Sequence, residues 1–447
     1  MKIAILGAGE SGVGAAILAQ AKGIEVFVSD MGQVKKVYKD KLQAAGIAFE
    51  EGQHSEARIL EANEIIKSPG IPDKAPLLQE AKKRGIQVIS EIDFAGRYTD
   101  AKFICITGTN GKTTTTLLTY HLLKSAGLNV GLAGNIGESL AEKVVENKHD
   151  YYVVELSSFQ LDNMYQFKAH IGVLLNITPD HLDRYEYSME KYAASKLRVA
   201  QNMMGSDFFV FNADDQQIAK AFNSEAFGGT TIPISLEGAA NAKVTYQEKE
   251  IQVAVQFYEG KVDTSSSPLI GKHNQYNTMA AVTVAKLLGM EDAKIAEALA
   301  TFKNAEHRLQ PVGEAKEVKY INDSKATNVE AVWYALEGIK RPIIWIAGGV
   351  DKGNDYTVLQ ELAKEKVKVL ICLGKDNRKL QEAFKRVVPV MAETTSIEYA
   401  VRLSRSLADP GDVVLLSPAC ASFDLFNNYE HRGQRFKEAV EKIVLKK

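Results

Sequence analysis

A chain of 447 residues is too long for one ordinary hydrophobic core, and about three domains are expected. Its composition, 45% hydrophobic and 25% charged with a formal net charge of −2, is that of a soluble globular protein. That balance, with no basic tract, excludes electrostatic binding of nucleic acid, and no apolar run approaches the roughly 18 residues of a membrane span. Glu10 cuts short the one stretch that mimics a signal peptide, so a cytoplasmic protein is expected. The cysteines, Cys105, Cys372 and Cys420, lie far apart, form no metal pattern and read as small core residues of a reduced compartment.

In chain order, Lys2–Leu6 reads as a buried strand, followed by Gly7-Ala-Gly9-Glu-Ser-Gly12, a helix from Val13 to Lys22 and a second strand, Ile24 to Ser29, ending at Asp30. This is the dinucleotide-binding fingerprint: glycines for the turn and the pyrophosphate, and an acid about 20 residues on for a ribose hydroxyl. A UDP-linked sugar satisfies it as well as NAD does. Ile65 to Ile71 reads as a further strand ending in a turn, Leu77 to Arg84 as a helix and Gln87 to Ser90 as a strand. Gly96 to Asp100 is a polar joint.

Phe103 to Ile106 then form an apolar strand that breaks into Thr107-Gly108-Thr109-Asn110-Gly111-Lys112-Thr113-Thr114 and a helix running to Ala126. Glycine lets the N–H groups of such a turn point at an anion, and the helix adds its positive N-terminal end. Lys112 is placed to reach nucleotide phosphates and the Thr113 hydroxyl a Mg²⁺ bridging the same oxygens. Ile106 stands where the general P-loop pattern has its first glycine. Three further strands follow: Asn129 to Leu132 before Asn135, Tyr151 to Leu156 carrying Glu155, and Ile171 to Ile177 before Thr178-Pro-Asp-His181. Carboxylates and a histidine at successive strand ends suit a phosphate-bound cation. Asn147-Lys-His-Asp150 fits the guanine-selecting pattern of GTPases, but it precedes a strand instead of ending one, and reads as a solvated helix end.

Tyr192 to Ala200, with Lys196, reads as helical, and short strands follow from Thr245. A helix capped near Gly271 to Asn277 runs to about Leu288. After Phe302, His307-Arg308 precede a strand at Glu317 to Ile321, and Asn322-Asp-Ser-Lys-Ala-Thr-Asn328 follows it. Strands at Ile343 to Ala347, Val367 to Leu373 and Val413 to Leu416 complete a second doubly wound unit whose loops share one edge. The predicted fold is therefore α/β in three domains. Residues 1–97 form an N-terminal Rossmann-like nucleotide-binding unit. Residues 98–302 form a central P-loop ATPase-type doubly wound sheet with a small antiparallel subsheet, and 303–447 a C-terminal Rossmann-like unit.

Four stretches together carry a family resemblance: GTNGKTT from Gly108, NITPDHLDR from Asn176, HR at His307 with NDSKATN from Asn322, and SPACASFD from Ser417. The chain resembles the Mur ligases and folylpolyglutamate synthetases, and within them the D-glutamate-adding branch of the Mur ligase family. The resemblance implies a monomeric ligase that uses ATP and two Mg²⁺ to join D-glutamate to UDP-N-acetylmuramoyl-L-alanine for peptidoglycan. Another Mur-type or a folylpolyglutamate-type ligase is the alternative. The resemblance implies that Gly108, Thr109, Asn110, Gly111, Lys112, Thr113, Thr114, Asn274, Asn277, Arg308 and Asp323 bind ATP. Catalytic roles fall to Lys112, His181, Lys196 and Lys325, with metal ligands at Thr113, Glu155, His181 and Lys196, the last carbamylated. Thr327, Lys352, Ser422 and Tyr429 align with D-glutamate positions. Asn135, Ser157 and Gln160 align with muramoyl-alanine contacts, and Ser11, Asp30 and Gly70 with the uridine nucleotide. Glu10 and Ser11 depart from the small-plus-threonine pair of that first loop. A nicotinamide oxidoreductase leaves the P-loop and the last domain without work, and a GTP switch has no use for Asp323 to Asn328.

Overall fold

The structure, a computed structural model, describes residues 1–444. The chain divides into two compact units, Met1–Pro268 with Gln275–Phe302, and Leu269–Asn274 with Lys303–Lys447.

The first unit holds two sheets. β1 (Lys2–Leu6), β2 (Glu25–Asp30), β3 (Ala48–Glu51), β4 (Glu64–Lys67) and β5 (Gln87–Ile89) form a parallel sheet in the order β3-β2-β1-β4-β5. β2 and β4 flank β1, so the chain winds away from β1 on both sides and opens a crevice beyond its carboxyl end. The second sheet contains β6 (Lys102–Thr107), β7 (Val130–Gly134), β8 (Tyr151–Glu155), β9 (Ile171–Leu174), β10 (Phe208–Asn212), β11 (Thr230–Ser235), β12 (Val244–Gln247), β13 (Glu250–Val255) and β14 (Tyr258–Asp263). Its order is β14-β13-β12-β11-β10-β9-β6-β8-β7. β6 lies between β8 and β9 and is buried from Phe103 to Thr107, which places its phosphate-type loop at this sheet's switch point. The expected antiparallel subsheet lies at one edge of this sheet: β12 pairs parallel to β11, and the β12-β13-β14 hairpins are antiparallel.

Buried polar groups fasten these two sheets within the unit. Asp93 Oδ1 accepts from the N–H groups of Tyr165, Gln166 and Phe167 at 2.8, 2.9 and 2.8 Å. Glu91 Oε1 accepts from Ser139 Oγ at 2.7 Å and Ala141 N at 2.6 Å, capping the helix Leu140–Glu146. Burial pushes the Glu91 carboxyl up to about 7.

The second unit is one sheet of β15 (Gln310–Ala315), β16 (Val318–Asn322), β17 (Ile343–Ala347), β18 (Val367–Leu373), β19 (Val390–Thr394) and β20 (Val413–Leu416), in the order β15-β16-β20-β17-β18-β19. All neighbours are parallel except β15 and β16, whose hairpin turns at Lys316 and Glu317 with φ of 52° and 63°. That left-handed pair makes the strand expected from Glu317 start one residue later, at Val318, and pairs it with β15, which the sequence reading lacks. Apolar clusters cover both faces, one around Trp345 and Phe384, the other around Tyr320 and Phe436. Among the described residues no helix is long and apolar enough to cross a membrane.

Candidate functional site

The loop after β6 is built for close approach. Gly111 holds φ +86° at the N-terminus of the helix Lys112–Ser125, and a Cβ there would lie 2.3 Å from Asn277 Oδ1. Only glycine satisfies both demands. The loop is zipped to the turn after β9: Asn110 N donates to Asn176 Oδ1 at 2.8 Å, Asn176 Nδ2 donates to Asn110 O at 3.1 Å, and Thr178 N donates to Thr109 Oγ1 at 3.0 Å. Lys112 Nζ donates to the carbonyls of Gly108 at 2.9 Å and Thr109 at 2.8 Å. Lys196 Nζ, 1% exposed on the helix Met189–Leu197, donates to the same Gly108 carbonyl at 2.8 Å. Burial first, and then the Lys112 charge, push the Lys196 ammonium well below the usual lysine range.

Glu155 ends β8, next to Ile106 across the ladder, and is 1% exposed. Its Oε1 accepts from Asn135 Nδ2 at 2.6 Å, whereas Oε2 is buried with no hydrogen-bond partner. A buried carboxylate oxygen left in this condition is costly unless a cation or donor meets it. Among the described residues no group of three or more His, Cys, Asp and Glu could enclose a metal. Thr113 and Glu155 are oxygen donors of the kind that would hold a Mg²⁺ bound also by phosphate. His181 has φ 52° and is held against the Phe159 ring at 5.1 Å, with Nε2 at 3.6 Å from Asp180 Oδ2.

The expected sugar-nucleotide residues share this unit. Asp30 Oδ2 accepts from Ala8 N at 2.6 Å and Oδ1 from Gly32 N at 2.7 Å, so the acid shapes the first loop. Ser11 lies in the helix Glu10–Ala21, which starts earlier than the sequence reading placed it. Gly70 O accepts from Arg184 Nη1 at 3.3 Å. Ser157 and Gln160 form a capping box on the helix Ser158–Leu161. Asn147 closes the helix Leu140–Glu146 in the left-handed conformation at φ 45°.

On the second unit the expected residues gather at the carboxyl ends of β16, β17 and β20. Asp323, 6% exposed, accepts from Leu309 N at 3.1 Å on Oδ1 and from Ser417 Oγ at 2.8 Å on Oδ2, and burial pushes it up to about 7. Lys325 Nζ stands 5.4 Å over the Tyr429 ring. Asn274 Nδ2 donates to Ile270 O at 2.8 Å, and Arg308 precedes β15. Thr327 follows the β16 loop, Lys352 is exposed beyond β17, and Ser422 is 2% exposed beyond β20. The β17 and β20 loops interlock through Val350 N to Ala421 O at 2.8 Å.

The sequence reading gave no role to Asn176, which locks the phosphate-type loop, nor to Arg432, which ties the loops of the second unit. Asn176 had a signal, a polar residue ending a buried strand. Arg432 had none, since its contacts depend on three strands distant in sequence.

Three family models match: the Mur ligase MurD-like N-terminal domain over residues 1–90, the Mur ligase middle domain over 106–285, and the Mur ligase glutamate ligase domain over 307–420. The UDP-N-acetylmuramoylalanine–D-glutamate ligase of Bacteroides fragilis is 51% identical over 446 residues, covering 99% of this chain and 100% of the relative. The chain belongs to the Mur ligase family. The ligase of the same description from Salinibacter ruber is 39% identical, covering 98% of this chain and 97% of its own. Among solved Mur ligases, the UDP-N-acetylmuramate-alanine ligase of Thermotoga maritima superposes at TM-score 0.62 with 19% identity, covering 99% of this chain and 100% of that one. A pseudomurein peptide ligase type C from Methanothermus fervidus gives 0.63 with 23% identity and 99% coverage of both chains. At these identities the structures establish the shared fold of this Mur ligase and no more.

Proposed function

We propose that this Mur ligase joins D-glutamate to UDP-N-acetylmuramoyl-L-alanine through an acyl phosphate formed with ATP. The observation that carries the reading is the unpartnered buried oxygen of Glu155 beside a glycine-built anion loop, in a chain half identical to ligases of that description. A carboxylate does not acylate an amine in water, because its leaving group would be an oxide. The acceptor's alanine carboxylate attacks the γ-phosphorus of ATP, and ADP leaves. The D-glutamate amine then attacks the acyl carbon and phosphate departs, its proton passing to solvent or a basic group.

The protein's contribution is charge and position. The loop N–H groups from Thr109 to Lys112 and the Lys112 ammonium neutralise phosphate oxygens as charge builds on them. Thr113 and Glu155 would hold Mg²⁺, which supplies Lewis-acid stabilisation of the transferred phosphoryl group. Lys196 is buried in surroundings that favour its neutral amine, the form that adds CO₂ to give a carbamate and a proton. In this reading that anion and His181 would be further ligands of the metal. Asn274, Asn277, Arg308 and Asp323 serve the nucleotide, Lys325 the phosphoryl group, and Thr327, Lys352, Ser422 and Tyr429 the acidic amino acid. Ser11, Asp30 and Gly70 serve the uridine nucleotide, and Asn135, Ser157 and Gln160 the muramoyl-alanine. In this reading the domains run over 1–97, 98–302 and 303–447.

The deciding assay mixes the protein with ATP, Mg²⁺, the UDP-linked acceptor and D-glutamate and measures phosphate. Release should require both acceptor and amino acid. Release indifferent to D-glutamate would overturn the reading.

A further inference from the structure

Arg432, 1% exposed in the helix Tyr429–Val444, donates among the described residues to neutral oxygens. Its Nε donates to Ser324 Oγ at 3.0 Å, Nη2 to Ser324 O at 2.8 Å, and Nη1 to Cys420 O at 3.1 Å and Gly348 O at 3.4 Å. The acceptors lie on the loops after β16, β20 and β17, three strands adjacent in the sheet. Those loops carry Lys325 and Thr327, Ser422, and Lys352. Ser324 Oγ in turn donates to Tyr429 O at 2.8 Å. One planar fork thus sets the spacing of every residue assigned to the amino acid.

The charge is the unexpected part. Asp424, which acts on Arg432 electrostatically, is committed elsewhere, with Oδ2 accepting from Lys375 N at 3.0 Å and Oδ1 from Leu425 N at 2.9 Å. Burial lowers the guanidinium to about 10, so it remains a cation at neutral pH. A neutral amide would tie carbonyl groups without the desolvation penalty of a buried charge lacking an ionic partner.

Resting on the D-glutamate reading, we propose that Arg432 is a positioning and charge-selecting residue: it clamps the three loops and supplies a positive field that an acidic amino acid completes. The test compares wild type, Arg432→Gln and Arg432→Lys, each checked for folding by thermal melting. With Gln, KM for D-glutamate should rise at least 20-fold while KM for ATP and for the acceptor stays within twofold. The kcat/KM preference for D-glutamate over D-glutamine should fall at least tenfold. With Lys, the charge persists without the fork, so KM for D-glutamate should rise at least fivefold while the preference stays within threefold of wild type. A folded Gln variant with wild-type preference, or one in which all three KM values rise together, overturns the proposal. If Gln does not fold, Lys decides: an unchanged KM for D-glutamate overturns it. Wild type that needs no D-glutamate would instead overturn the function beneath it.

Discussion

Gly111 shows how much a single missing methyl can decide. Its φ of +86° and the 2.3 Å gap between a built Cβ and Asn277 Oδ1 both oppose a side chain. Gly111→Ala should therefore cost about 1–3 kcal/mol of stability and weaken nucleotide binding at least tenfold, measured by melting and by calorimetry with an ATP analogue. Lys112 differs in kind, since its removal leaves the backbone cradle standing. Lys112→Ala should keep the wild-type melting temperature within a few degrees and lower kcat by roughly 10³-fold or more, as expected when a charge aimed at the transferred group is deleted. Lys196 distinguishes two chemistries. If its carbamate is the working form, Lys196→Ala should recover activity with added acetate or propionate, and a flat response up to high carboxylate concentration would reject the carbamate.

At the scale of elements, the joints between sheets depend on buried acids. Glu91 is held at about 7 by burial, above its unfolded value of 4.5, even though Ser139 and Ala141 donate to it. The folded state therefore binds its proton more tightly than the unfolded chain does. Its stabilising contribution is fully present below pH 4.5 and is lost as pH rises through about 7, a change of about 3 kcal/mol. Glu91→Gln should flatten that part of the pH–stability curve, a difference that chemical denaturation at pH 5 and pH 8 would resolve. The same elements show what periodicity conveys. The buried runs of β1, β6, β8 and β17 were legible because parallel strands covered on both faces are continuously apolar. β15 was not, and the edge from β12 to β14 was legible as short antiparallel strands from Thr245 but not in its joining to β11. Their pairing depends on turns of non-glycine residues in left-handed geometry, at Glu248 and Lys249 and at Lys316 and Glu317, which propensity disfavours.

On the scale of the whole molecule, each unit has its own sheets and core, so calorimetry should resolve more than one transition. A non-hydrolysable ATP analogue with Mg²⁺ at 100 times its Kd should stabilise the unit that holds the phosphate loop by about 2.7 kcal/mol. In Lys112→Ala the corresponding shift should shrink. The candidate motifs of the two units, Gly108 to Thr114, Glu155 and His181 in one and Asn322 to Thr327 in the other, were readable in the sequence because each lies in a loop or at a strand end closing an apolar strand. Their chemistry is set by residue type and spacing within a few positions. Only the tertiary structure decided that Glu155 keeps one oxygen unpartnered, that Lys196 shares the Gly108 carbonyl with Lys112, and that Arg432 underlies three loops. Those facts depend on which strands become neighbours, and long-range pairing is governed by burial of the whole core, which no short window of sequence contains.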